Sequence, residues 1–512
     1  MSAQAGARIL AEGGNAVDAA IAAAFAGAVC EGPLTGPGAG GFMLVASRTR
    51  APVFLDFFVA VPGLGPSGRR LDPLDLDAFT VPFGAADQVF HIGPASVAVP
   101  GMLQGLCAAR ERFGRLPLQA LVAPAVESAR QGVVIGPQSA YLWRILGEML
   151  TFTPDATSIY APHGEILGAG ETFRNFALAA TLEEIGRTGA AALGPGGWLA
   201  EMIVESLARS GGLVTATDIA EYQVIERRPI EMTFRGRTVF TNPPPSSGGV
   251  LIAAALAQMQ GDPVGIDAVA FYRGVVAAGE YANSLRTQAF ARRLNEAASN
   301  EADWMRFVTP TAGAPVTHAP NGTTHVSVVD ADGMIASLSS SNGTASGVMV
   351  EGTGFLLNNM LGEQDLNPAG FGHAPPGARM TSMMSPTVVV EGTTPRIGLG
   401  SAGSNRLRSA ILQTLVSIVD DRMPIPDAVA RPRVHPEAGG IDIEAGVPER
   451  ACGALEADGR ILRRWDEANL FFGGVSAAGW CGDELQGAGD PRRGGAAFGV
   501  SESGEVSDLS TI

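Results

Sequence analysis

Asn321-Gly322-Thr323-Thr324-His325-Val326-Ser327-Val328-Val329-Asp330 joins a polar, loop-like stretch to an apolar strand. Residues 296–322 carry Asn300, Glu301, Pro310, Pro315, Pro320, Asn321 and Gly322, the strongest linker signal in the chain. Beyond them the hydrophobic period changes from helical to strand-like. Thr323–Val329 alternates, Ala331-Asp332-Gly333 predicts a hairpin turn, and Met334–Ser341 pairs back. The Gly322–Thr323 bond has the ingredients of self-cleavage. Glycine has no Cβ to obstruct attack on its carbonyl. The Thr323 hydroxyl could add there, shift the acyl group to oxygen and let water release it. A chain beginning at Thr323 would carry a free α-amino group, of reference pKa about 7.7–8.0, as base for its own hydroxyl. No lysine, histidine or metal is needed. The same residues also read as a plain loop entering a sheet.

Upstream, residues 2–30 read as a buried helix that Gly13-Gly14-Asn15 interrupts and Asp18 restarts, with Asp18 as a helix-start cap. Gly36-Pro37-Gly38-Ala39-Gly40-Gly41 then precedes an apolar strand, Phe42-Met43-Leu44-Val45. The glycines match G-x-G-x-x-G in form, but a dinucleotide site puts the strand before them and a helix after. Residues 100–230 are mostly helical in pattern. Asn242-Pro243-Pro244-Pro245-Ser246-Ser247-Gly248-Gly249 is a rigid turn before a helix at 250–260. Downstream, strands are expected at Gly354–Leu357, Thr387–Val390 and Arg396–Leu399, with a helix at about 404–420. Arg492-Arg493, after Asp490-Pro491, reads as a solvated turn.

Composition narrows the function. Of 512 residues 46 % are hydrophobic and 17 % charged, which suits a folded chain with a large core. The charge balance is 35 − 51 = −16, and all 35 basic residues are arginine. Without lysine there is no Walker A loop and no Schiff base. An acidic chain without a basic run points away from nucleic acid and anionic lipid. The longest apolar run, Ala19 to Cys30, is 12 residues, too short to span a bilayer. No basic segment and apolar core open the chain as a signal peptide would. The chain as given therefore reads as cytoplasmic, with a periplasmic or secreted placement if its N-terminus is truncated. Cys30, Cys107, Cys452 and Cys481 form no C-x-x-C pair, which leaves a single Cys452–Cys481 bridge open. The six histidines, at 91, 163, 318, 325, 373 and 435, lack ligand spacing, so no metal and no cofactor is expected. G-x-S-x-G, S-x-x-K and H-E-x-x-H are absent.

Six stretches in order resemble the γ-glutamyltranspeptidase family of Ntn hydrolases. They are Gly14-Asn15-Ala16-Val17-Asp18-Ala19-Ala20, Pro243-Pro244-Pro245-Ser246-Ser247-Gly248-Gly249, Thr323-Thr324-His325-Val326-Ser327-Val328-Val329-Asp330, Gly354-Phe355-Leu356-Leu357-Asn358-Asn359, Ser382-Met383-Met384-Ser385-Pro386-Thr387, and Gly400-Ser401-Ala402-Gly403-Ser404-Asn405-Arg406. The resemblance implies an α+β fold, a four-layer αββα sandwich. It implies a proenzyme cut at Gly322–Thr323 into a large chain, 1–322, and a small chain, 323–512, which stay together as a heterodimer. Thr323 matches the catalytic threonine. A second hydroxyl on the returning strand falls on Ser341, with Ser339 and Ser340 open because this region is about one residue short. The backbone oxyanion donors fall on Gly403 and Ser404. The substrate is expected to be a small amide or γ-glutamyl compound.

Departures from the family pattern fall on the glutamyl grip. The arginine that holds the substrate carboxylate is replaced by Phe58, in Asp56-Phe57-Phe58-Val59. One of two paired serines becomes Met383, beside Ser382. The Gln-x-x-Asp that grips the α-amino group becomes Met360-Leu361-Gly362-Glu363, where Glu363 can still pair with an ammonium. Asn342 stands with it among the binding residues. An arginine–carboxylate pair is a strong, charge-assisted contact, so its loss predicts a more apolar donor pocket. The strand that precedes the family's opening helix is also missing, which predicts a misassigned start or an absent edge strand.

Overall fold

The structure, a computed structural model, describes residues 1–82, 87–261, 267–297, 303–308, 322–437 and 439–510. In chain order, the elements that build the site are α1 (Ser2–Ala11), α2 (Ala16–Cys30), β1 (Gly40–Ala46), β2 (Val53–Phe57), α3 (Met102–Phe113), β3 (Ile225–Arg227), β4 (Ile230–Phe234), β5 (Arg237–Thr241), α4 (Gly248–Gln258), α5 (Ala268–Ser284), β6 (Thr324–Val329), β7 (Ile335–Ser341), β8 (Thr387–Glu391), β9 (Thr394–Ala402), α6 (Arg406–Val419), β10 (Gly474–Cys481) and β11 (Glu484–Gly489).

The break before α2 is a capping box. The Asn15 side chain accepts the Val17 and Asp18 N–H groups, and Asp18 Oδ2 accepts from Asn15 N–H at 3.1 Å. Asp18 thus caps the helix, and it also accepts the Arg115 N–H at 2.9 Å. The alanine-rich α2 is buried from Ala16 to Val29. Its short side chains let α1 lie against it while it covers β6 and β7.

Two antiparallel sheets form the centre. One is five-stranded, in the order β6-β7-β1-β2-β3, with β6 at its edge. The other is six-stranded, in the order β11-β10-β9-β8-β5-β4. β6 faces β9 and β10, and α6 packs on β9 and β10. Alternation along β1 decides the packing. Phe42 and Leu44 join Val388 and Leu399 in one core, whereas Met43 and Val45 join Ile21, Phe25 and Leu103 in another.

The predicted hairpin forms between β6 and β7, with Thr324 opposite Ser340 and His325 opposite Ser339. Asp330 closes its turn by accepting the Asp332 and Met334 N–H groups at 3.0 and 2.9 Å. Gly354–Leu357 is not a strand. Leu356 and Leu357 make isolated bridges to Met349 and Gly38, the segment's backbone bonds to irregular chain at 346–350, and the Asn358 side chain spans the Gly38 and Ala98 carbonyls. The four cysteines are unbridged, Cys452 and Cys481 included. Most of the linker at 296–322, with His318, lies outside the described residues. Among the described residues no helix is long and apolar enough to cross a membrane.

Candidate active site

Thr323 sits at the mouth of β6 and is buried. The register of the hairpin puts Ser341 one step beyond the Thr324–Ser340 pair, so Ser341 flanks the Gly322–Thr323 bond. Its hydroxyl donates to the Gly322 carbonyl oxygen and accepts the Gly343 N–H at 2.8 Å. Ser339 and Ser340 have other partners: Ser339 meets His325 Nδ1 at 2.8 Å, and Ser340 meets Thr35 at 2.7 Å. Gly322 has to be glycine, since a Cβ there would run into the Gly343 carbonyl and the Leu34 side chain.

The turn after β7 carries Asn342, which is fully buried. Its Nδ2 donates to the Gly32 carbonyl at 3.3 Å, and its Oδ1 has no hydrogen-bond partner among the described residues. Glu363 closes on the same turn, within 2.8 Å of where a Cβ on Gly343 would stand. Burial pushes the Glu363 carboxyl up to about 8, and Asp365 adds to the rise. The folded chain therefore holds this proton from the ordinary glutamate range up to about pH 8, while the unfolded chain has released it. Ionising Glu363 costs stability progressively across that window. Glu363→Gln should match the wild type near pH 4.5 and gain on it steadily towards pH 9, by a few kcal/mol in order of magnitude. Melting curves of both proteins at both pH values test this; a pH-independent difference would refute it.

Gly403 and Ser404 follow β9 and lead into α6. Both have left-handed backbones, with φ of +117° and +54°. For serine this is a strained conformation. It is held by the Ser404 hydroxyl on Asp365 Oδ2 at 3.4 Å, by the Arg406 N–H on the Gly403 carbonyl, and by Arg286 on Asn405 Oδ1 at 2.9 Å. The N-terminus of a 14-residue helix adds a positive field at this point. Such backbone donors suit a developing oxyanion.

Phe58 lies in the core, stacked on Phe42 with ring centroids 5.2 Å apart. Met360, Leu361 and Met383 are buried in the same large apolar core. The Ser382 carbonyl accepts the Ser247 and Gly248 N–H groups, which fastens the Pro-rich turn to the segment that carries Met383. Two guanidiniums do reach Asp56: Arg227, whose Nε lies 2.7 Å from Oδ2, and Arg379, whose Nε lies 3.4 Å from Oδ1. Arg379 also donates to the Phe58 carbonyl and to Tyr222 OH, so it is spent on the protein.

Four contributors went unread in the sequence. His325 is buried between Ser339 and Ser327, and burial pushes it down to about 3, so its ring is neutral. Its place in Thr323-Thr324-His325 was the available signal. Asp365 supports Ser404 from two residues beyond Glu363. Glu31, at the end of α2, accepts from the Thr324 hydroxyl at 2.7 Å. Arg493 lies against Gly403, its Nη2 being 3.2 Å from the position of a Cβ there. No local pattern marks Glu31 or Arg493. The expected solvated turn is also wrong for Arg492, which is buried and forked onto Glu444 at 2.6 Å through both Nε and Nη2. Among the described residues no group of His, Cys, Asp and Glu gathers as a metal site.

Residues 2–500 match the sequence profile of the family described as Gamma-glutamyltranspeptidase. The chain is 31 % identical over 483 residues to the Acylase ACY 1 proenzyme of Pseudomonas sp. (strain V22), covering 91 % of this chain and 86 % of that protein. It is 30 % identical over 529 residues to the Glutathione hydrolase proenzyme of Escherichia coli (strain K12), covering 96 % and 88 %. In fold it resembles the cephalosporin acylase of Bacillus halodurans, with a TM-score of 0.80, 24 % identity, and coverage of 99 % and 94 %. With the threonine, its flanking serine and the two left-handed residues in place, the match over nearly the whole length makes this chain a member of the γ-glutamyltranspeptidase family of hydrolases and transferases.

Proposed function

We propose that this chain is an autoprocessing N-terminal-threonine amidohydrolase and acyltransferase, folded as a four-layer αββα sandwich. One observation carries the reading: the Ser341 hydroxyl donates to the Gly322 carbonyl oxygen beside Thr323. That bond polarises the carbonyl that the Thr323 hydroxyl attacks. The hydroxyl proton passes to the amide nitrogen as the C–O ester forms and the Gly322–Thr323 C–N bond breaks, which frees the Thr323 amine; water then cleaves the ester to the Gly322 carboxylate and the Thr323 hydroxyl. Residues 1–322 and 323–512 stay associated, because β7 of one piece pairs with β1 of the other and β8 pairs with β5.

In turnover the Thr323 amine takes the proton from its own hydroxyl. The oxygen attacks the substrate amide, the Gly403 and Ser404 N–H groups receive the oxyanion, and the leaving amine takes the proton. Each oxyanion donor contributes about 2.7–4 kcal/mol in such sites. The acyl-Thr323 ester then passes to water or to an amine.

The donor differs from a γ-glutamyl group. The buried apolar residues Phe58, Met360 and Met383, with Arg227 spent on Asp56 and Arg379 on Asp56 and Tyr222, favour an acyl group without the glutamyl carboxylate. Asn342 and Glu363 still suit a donor bearing an amine, with Glu363 an uncharged hydrogen-bonding group below about pH 8 and an anionic partner above it. A second reading, a cephalosporin-acylase-like amidase, draws on the same apolar residues. The third, a silent family member that only binds, would need the Gly322–Thr323 bond to survive.

Denaturing electrophoresis tests the reading, with two fragments expected and the smaller beginning Thr-Thr-His-Val on N-terminal sequencing. Among simple N-acyl anilides and γ-glutamyl-p-nitroanilide, the former should be turned over faster. An intact chain that hydrolyses amides would overturn the mechanism, and rapid cleavage of the γ-glutamyl anilide would overturn the altered specificity.

A further inference from the structure

Cleavage at Gly322–Thr323 would put the Gly403-Ser404 turn in the small chain, yet part of its support comes from the large one. Arg286 stands two residues beyond the end of α5, and its Nη2 donates to Asn405 Oδ1 at 2.9 Å. Asn283, in the last turn of α5, accepts from Arg408 Nη2 at 3.0 Å. The contact is thus reciprocal, each segment offering an arginine to the other's asparagine. Asn283 Nδ2 also donates to the Pro436 carbonyl at 2.7 Å. Arg286, Asn405 and Arg408 are all buried. Two features set this clamp apart from ordinary packing. Ser404, next to Asn405, has a φ of +54°, a backbone that persists only where its neighbours over-determine it. Arg406 and Arg408 also occupy the first turn of α6, which sets positive charge where the helix dipole is already positive. Asp365 and Glu437 offset part of that charge. Burial, with Arg408 adding to it, lowers the Arg286 pKa to about 9, which leaves it charged at neutral pH. Positive charge that the helix itself disfavours suits a place where negative charge develops.

We infer that Arg286 is a positioning residue for turnover: through Asn405 it holds the Gly403 and Ser404 N–H groups on the developing oxyanion, so the large chain completes the oxyanion hole of the small one. This rests on the amidase reading above. Self-cleavage does not use the clamp, because there the Ser341 hydroxyl polarises the Gly322 carbonyl. Loss of Arg286 therefore separates the two reactions.

The test follows maturation and N-acyl p-nitroanilide hydrolysis in the wild type, Arg286→Gln, Arg286→Lys, Asn405→Ala and Arg286→Gln/Asn405→Ala. Arg286→Gln should mature into two fragments at the wild-type rate. Its kcat should fall on the order of tenfold to a hundredfold, the scale on which a displaced catalytic group acts. KM should stay nearly unchanged, since only binding of the transition state is lost. Arg286→Lys keeps a charged donor and should recover part of the rate. The double variant should be no slower than Asn405→Ala, because the arginine acts through the asparagine. An unchanged kcat, additive losses, or failure of both Arg286 variants to mature would overturn the proposal. Should the wild type stay uncut and turn over no anilide, the amidase reading fails by itself and crystallography decides the clamp. In Arg286→Gln the Ser404 backbone should then leave its left-handed conformation, and a retained left-handed turn would overturn the proposal.

Discussion

Thr323→Ala should leave the 512-residue chain whole and without amidase activity. The variant keeps the Ser341 hydroxyl on the Gly322 carbonyl, so the peptide stays polarised. It loses the oxygen that adds to it, and neither the ester nor the free amine can arise. Turnover should fall on the order of 10⁴-fold or more, the scale on which removal of a catalytic nucleophile acts. Thr323→Ser keeps an oxygen and should still cut, more slowly, since it lacks the methyl group that restricts the side-chain rotamer. Intact mass over several days measures the first effect, and circular dichroism on the same samples separates failed chemistry from failed folding. Cleavage of Thr323→Ala at the wild-type rate would remove Thr323 from the mechanism.

Features legible in the sequence are local ones. The capping box at Asn15 and Asp18 needs residues three apart, the hairpin turn needs Ala331-Asp332-Gly333, and the Gly322–Thr323 junction is a single bond. Ser341 came from the resemblance, with Ser339 and Ser340 left open, and in the structure it is the Ser341 hydroxyl that lies on the Gly322 carbonyl. What stayed hidden depends on pairs far apart in the chain. Arg379 lies 321 residues from the Phe58 carbonyl that it holds, so its approach to Asp56 leaves no trace in either segment. Gly354–Leu357 has strand composition, yet its backbone bonds mainly to an irregular segment at 346–350, so only isolated bridges form. The Arg492-Arg493 pair misled for the same reason. After Asp-Pro and before Gly-Gly it has the composition of a surface turn, and only the tertiary fold supplies Glu444.

That pair yields the second large effect: Arg492→Ala should destabilise the protein by about 3–5 kcal/mol, the cost of leaving buried charge without its partner. Glu444 would lose both guanidinium bonds, at 2.6 Å each, and Asp490 would lose one of its two arginines. Burial alone would raise the Asp490 pKa. Arg433 and Arg492 reverse that and hold it below the usual aspartate range. The cluster therefore stabilises the fold above the ordinary aspartate pKa, and the contribution is lost as pH falls through the lowered one. The damage would not stop at the charges. Arg492 also donates to the Val429, Ala430 and Arg431 carbonyls, and Asp490 accepts the Val475 N–H at 2.9 Å, so the cluster ties the segment after β11 to β10. Removing Glu444 as well, in Arg492→Leu/Glu444→Leu, should recover part of the loss, because the stranded carboxylate is the costly item. Melting temperatures of the two variants and the wild type above pH 6 decide the matter. A shift for Arg492→Ala no larger than a surface substitution gives, about 0.5 kcal/mol, would mean that Arg492 lies in solvent after all.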